Sequence, residues 1–109
     1  MLYPQNMNVI ADICVIPNTG RTSVRQEVAL AHRILQESGA KVLLHGYGTN
    51  VEGDYDTIFA ALKRIHQELH AQGAARISTT IRLGSRVDKE QGIDDKIAAV
   101  RDELADGTP

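Results

Sequence analysis

The chain has 109 residues, 12 Lys and Arg against 14 Asp and Glu, and a formal net charge of -2. That length suits one domain, 1–109, with one core, and the charge balance lacks the basic stripe of a nucleic-acid binder. A single cysteine, Cys14, excludes an intrachain disulfide; scarce aromatics without Trp exclude a base-stacking platform; and a polar start with no long apolar run points to a cytoplasmic protein without membrane segments.

The run "NVIADICVI" predicts a first strand over 8–16. Val9, Ala11, Ile13 and Val15 point one way, and Ile10, Asp12, Cys14 and Ile16 the other. Two apolar faces imply a central strand covered on both sides, with Asp12 as the anomaly. Pro17 is expected to end the strand, and "NTG" to form a turn. Ser23 and Gln26 have capping-box spacing, which predicts a first helix with Val24, Val28, Ala31 and Leu35 on one stripe. Gly39 would stop it.

"KVLLH" predicts a second strand over 41–45, and "GYG" a turn at 46–48. A short third strand over 49–53 would complete a hairpin. Asp54 is placed to cap a second helix with the stripe Ile58, Ala61, Leu62, Ile65 and Leu69, stopped by Gly73. A fourth strand follows over 75–83, with Ile77, Thr79, Ile81 and Leu83 on one face. Asp94 or Asp95 would start a third helix with the stripe Ile93, Ile97, Val100 and Leu104. The tail "DGTP" is expected to fray. The order is β-α-β-β-α-β plus a terminal helix. It predicts an α+β, ferredoxin-like sandwich: a four-stranded antiparallel sheet with two helices on one face. The other face would stay apolar and bare, which predicts a homo-oligomer, a third helix laid over that face, or both.

Several stretches carry a resemblance. They are "ADICVIPNTGRTSVRQEVALA", "ILQESGAKVLLHGYGTNVEGD", "ARISTTIRLGSRVDK" and "DKIAAV". With Gly48–Thr49, Glu52–Asp54 and Arg86–Lys89 as their most specific parts, the chain resembles the small thiamine-binding protein family over about 8–104. The resemblance implies a ferredoxin-like fold and a homo-oligomer, often a dimer of dimers. It also implies binding of thiamine or its hydroxymethylpyrimidine part, without a cofactor and without catalysis.

Asp12 has two readings. A carboxylate on an apolar strand must be paired or hydrogen-bonded, so it is either a structural ion-pair partner or a ligand group for the amino group or cationic ring of a thiamine-like molecule. Ser23 is a helix cap that a ligand can share, because free N–H groups point there. Glu52 is the expected ligand carboxylate, with Thr49 as a supporting hydroxyl. On a regular strand these two face opposite ways, so nearby glycines would have to bend the strand to unite them. His66 and His70 have the spacing of two imidazoles on one helix face, but no third metal ligand accompanies them, and no metal is expected. Arg76, Arg82 and Arg86 suit salt bridges or a phosphate. The expected function is that of a non-catalytic carrier or sensor of a thiamine-like ligand. The alternatives are a small ferredoxin-like enzyme on a compact substrate and a structural oligomerisation module.

Overall fold

A computed structural model describes residues 6–107; the first five residues of the polar start and the last two of the "DGTP" tail lie outside the described residues. The elements are β1 (Asn8–Asn18), α1 (Arg25–Glu37), β2 (Lys41–His45), β3 (Gly48–Asp54), α2 (Tyr55–Ala71), β4 (Arg76–Ser85) and α3 (Ile93–Ala105). They build one antiparallel sheet in the order β2-β3-β1-β4, the ferredoxin-like arrangement.

The period-two pattern of β1 sets the layers. Val9, Ala11, Ile13 and Val15 are buried against the helices, while Ile10, Asp12 and Cys14 are only half-covered and Ile16 is exposed. Val51 joins the core from β3, Ala31, Ile34 and Leu35 from α1, and Ile58, Ala61, Ile65 and Leu69 from α2. The stripe expected for α2 therefore forms core, with Leu62 packed at its edge. In α1 only Ala31 and Leu35 of the expected stripe are buried, Ile34 joins them, and Val24 and Val28 are half-buried. Each large side chain removed from water contributes roughly 1.5–3 kcal/mol. Asp54 caps α2 as expected, accepting the Thr57 N–H at 3.2 Å. Gly39 and Gly73 follow the first two helices with positive φ, the conformation a helix stop requires.

Three local expectations are corrected. Pro17 does not end β1; it lies inside it, opposite Ile77. Proline is tolerated there because β3 pairs with β1 only from Asn8 to Ile13, so at Pro17 the strand borders β4 alone. Ser23 does not cap α1: the cap position is Val24, without a side-chain bond. The third helix starts at Ile93 rather than at an aspartate, and Asp95 instead reaches back to accept the Gly92 N–H at 2.8 Å.

Only the first turn of α3 meets the bare face of the sheet. Glu52 Oε1 accepts the Ile93 N–H at 2.7 Å, and Lys41 forms an ion pair with Asp94 that raises the lysine above its usual pKa. Gly92 permits this approach, since a Cβ there would lie 2.6 Å from Glu52 Oε1. Ile93 is buried, but the rest of its stripe runs off the sheet: Ile97, Val100 and Leu104 are 38%, 60% and 73% exposed. The expected cover by the third helix is thus confined to its N-terminal end. Glu52→Ala should cost about 1 kcal/mol, the scale of one hydrogen bond. Amide exchange at Ile93 should quicken while the core amides keep their rates. Glu52→Gln retains an acceptor and should show a smaller effect.

Candidate functional site

β1 has 11 residues and β3 has seven. Pairing between them stops at Ile13 with Thr49, while β1 continues beside β4 to Asn18. Beyond Ile13 the sheet is therefore one strand short on the β3 side. Main-chain N–H and C=O groups of β1 that would otherwise pair with β3 are free of strand partners there. The notch is closed from above by α1 and from the side by the β2–β3 turn. It holds a pocket of about 220 Å³ lined by Ile13, Val15, Val24, Val28, Ala31 and Leu35, with Cys14, His45, Tyr47 and Thr49 also on its walls. Apolar walls with a few polar groups are the usual make-up of a small-molecule site.

The turn reaches the notch because Gly48 has no side chain. A Cβ at Gly48 would lie 2.6 Å from the Ile13 carbonyl oxygen and 3.6 Å from Asp12 Oδ1. The gap over Gly48 also lets His45, on β2, cross β3 and bond Asp12 on β1, with Nε2 to Oδ1 at 2.5 Å. The Tyr47 N–H donates to the Nδ1 of the same ring at 3.2 Å.

The four expected site residues are divided. Register through β3 is unbroken, Thr49 to Ile13 and Glu52 to Ile10, so no bend brings the two together. Thr49 is buried on the helix side and lines the notch. Glu52 lies on the opposite face, where it holds α3. Asp12 also lies on that face but touches the notch through His45. Ser23 is exposed, one residue before Val24 on the notch wall.

Asp12 and Glu52 also border a broad groove between the bare sheet face and residues 84–97. Its volume is about 1310 Å³, and its walls mix Arg82, Arg86, Lys89 and Lys96 with Asp88, Glu90 and Asp95. Arg86 is paired with Asp88 and Gln91. The groove is wide and of mixed charge, whereas the notch is small and mostly apolar.

His66 is half-buried and bonds Thr79 Oγ1 at 2.6 Å, while His70 Nδ1 donates to the Ala74 carbonyl at 2.7 Å. Those separate bonds leave the pair unsuited to a shared metal. Among the described residues no group of three or more His, Cys, Asp and Glu side chains is placed to hold a metal ion. No described helix is long and apolar enough to cross a membrane.

Two features escaped the sequence reading. His45 looks like an ordinary strand end, and only the register reveals its reach to Asp12. Glu27 lies in the first turn of α1, where charge is commonplace, yet its side chain is only 7% exposed. It pairs with Arg21 of the preceding loop, and its Oε2 has no partner. The Glu27–Arg21 pair ties the "NTGR" segment to α1.

These features define a ferredoxin-like protein with a ring-sized notch at one end of its sheet. The model of the thiamine-binding protein family matches residues 11–101, and the chain belongs to that family. It is 48% identical over 94 residues to the UPF0045 protein sll0230 of Synechocystis, covering 86% of this chain and 78% of that protein. It is 35% identical over 101 residues to the UPF0045 protein ECM15 of Eremothecium gossypii, covering 92% and 96%. The crystal structure of protein MJ1052 from Methanocaldococcus jannaschii superposes with a TM-score of 0.81 at 29% identity, covering 87% of this chain and 97% of that one.

The groove offers a test of its own electrostatics. The Arg86 guanidinium pulls Asp88 from 3.8 down to about 2. A depressed carboxylate stabilises the fold above its unfolded value and loses that contribution as pH falls through the folded one. Asp88 should therefore stay ionised to about pH 2 when followed by carboxyl NMR. Because the group is exposed, roughly 1 M salt should move its midpoint back toward the ordinary range.

Proposed function

We propose that the chain is a non-catalytic binding protein for thiamine or its hydroxymethylpyrimidine part, acting as a carrier or sensor in the cytoplasm. The observation that carries this reading is the notch itself, in a chain of the thiamine-binding protein family. Its volume of about 220 Å³ is below that of a site enclosing a drug-sized molecule, so it takes one ring. Aliphatic side chains from β1 and α1 suit the faces of a flat heterocycle. The Thr49 hydroxyl and the unpaired edge of β1 suit the nitrogens and amino group on its rim. The cationic ring of thiamine would then lie outside, toward the Asp12 carboxylate, with Ser23 beside the entrance. Glu52 would act from the far face, through α3.

Calorimetric titration with thiamine and with hydroxymethylpyrimidine tests the reading. Both should bind, thiamine more tightly. Thr49→Val should weaken each by about 1 kcal/mol, the scale of one hydrogen bond, whereas Glu52→Gln should leave affinity nearly unchanged. Absence of heat with either compound would overturn the proposal. One observation favours a second reading, a small enzyme: Cys14 and His45 line the same pocket. Under the binding reading, thiamine recovered after long incubation is chemically unchanged, and Cys14→Ala still binds it.

The assembly is part of the proposal. Ile16 and Leu43 on the bare sheet face, and Val100 and Leu104 on α3, are exposed apolar side chains fixed on rigid elements. Burying them together between copies favours a homo-oligomer, a dimer of dimers. Sedimentation equilibrium should give a multiple of the 11.9 kDa chain mass. Val100→Lys and Leu104→Lys together should shift the mass toward the monomer.

A further inference from the structure

We propose that His45 is the positioning residue of the notch, a neutral imidazole that fixes the β2–β3 turn as its outer wall; this rests on the notch being the ligand site. Two atoms with fixed roles touch the ring. The Tyr47 backbone N–H only donates, so Nδ1 must accept and carry no hydrogen. The Asp12 carboxylate, when ionised, only accepts, so Nε2 carries the hydrogen and donates to it. Together they select the Nε2–H tautomer.

The turn needs this support. β2 ends at His45 and β3 begins at Gly48, which leaves a two-residue connection, Gly46 and Tyr47. Hairpins of that length prefer positive φ, because such turns match the strand twist. Neither Gly46 nor Tyr47 has positive φ. The turn is therefore poorly fixed by its own backbone. The bond from Tyr47 N–H to His45 Nδ1 imitates an Asx turn, in which a side chain captures the N–H two residues on. At its other edge the ring is anchored across β3 to β1. One side chain thus spans the three strands that meet at the notch and sets where Tyr47, Gly48 and Thr49 stand on its wall.

Two isosteric halves of the ring separate the contributions. His45→Asn keeps an acceptor near the position of Nδ1 and forms a true Asx turn, but loses Asp12. His45→Gln keeps a donor that reaches Asp12, but loses the turn bond. His45→Ala loses both. In long-range proton–nitrogen NMR spectra the wild-type ring should show the Nε2–H tautomer. Exchange of the Tyr47 amide should be slow in wild type and His45→Asn, and fast in His45→Gln and His45→Ala. Thiamine affinity should follow the same order, falling roughly tenfold in His45→Ala, the effect of about 1.4 kcal/mol, and recovering in His45→Asn. Because the core does not include His45, the melting temperature of the free variants should change little. An Nδ1–H ring, or a Tyr47 amide indifferent to all three substitutions, would overturn the proposal without reference to any ligand. Wild-type thiamine affinity in a folded His45→Ala variant would overturn it too. Failure of the wild type itself to bind thiamine would overturn the ligand reading, while the tautomer and amide readouts would still judge the turn.

Discussion

The mismatch in length between β1 and β3 governs the rest of the structure. A sheet strand must satisfy its main-chain groups on both sides, or leave them to water or another partner. β1 has β4 along nearly its whole length but β3 only up to Ile13. The uncovered stretch cannot be sealed by side chains alone. Pro17, which lacks an N–H, removes one unmet donor near its end. α1 roofs the remainder with Val28, Ala31 and Leu35, together with Val24 just before it, and the turn after β2 walls it. A cavity with greasy walls and a polar edge is the direct result.

Much of this was legible in the sequence, because the strongest signals are periodic. The alternation in β1 and the stripes of α1 and α2 are dictated by burial, and burial follows spacing. Asp54 acts as a cap because it stands immediately before the helix, where its carboxylate accepts both the N–H and the hydroxyl of Thr57. The sequence is less informative where two locally reasonable roles compete. Ser23 and Gln26 have the right spacing for a capping box, yet the helix begins two residues after Ser23, so the box never closes. Thr49 and Glu52 are close in sequence but fall on opposite sides of an undistorted strand. Glu52 therefore accepts from a helix that lies 41 residues on, on the face away from Thr49. His45 and Glu27 were invisible for a different reason. Their importance lies in contacts set by strand register and by a loop returning over a helix, neither of which leaves a local pattern.

The two faces of the sheet divide the polar residues into distinct tasks. On the helix side polarity is sparse: Thr49 faces the notch, while Glu27 pairs with Arg21 and His66 with Thr79. On the bare side it is abundant and partly committed: Glu52 and Lys41 to α3, Asp12 to His45, Arg86 to Asp88. Partnered charges on an open face resist indiscriminate contact, and the apolar residues between them supply the attraction.

The β2–β3 hairpin joins these two sides mechanically. At its turn end stand His45, Tyr47 and Thr49; at its open end, Lys41 and Glu52 grip the start of α3. Lys41 and Glu52 are directly opposed in the register, so both handles sit on one rung of the ladder. The hairpin is a short beam held along one side by β1, with the notch at one end and the helix at the other. Because both ends belong to one continuous ladder, the wall of the notch and the grip on α3 share a single register, and neither can slip along β1 without the other.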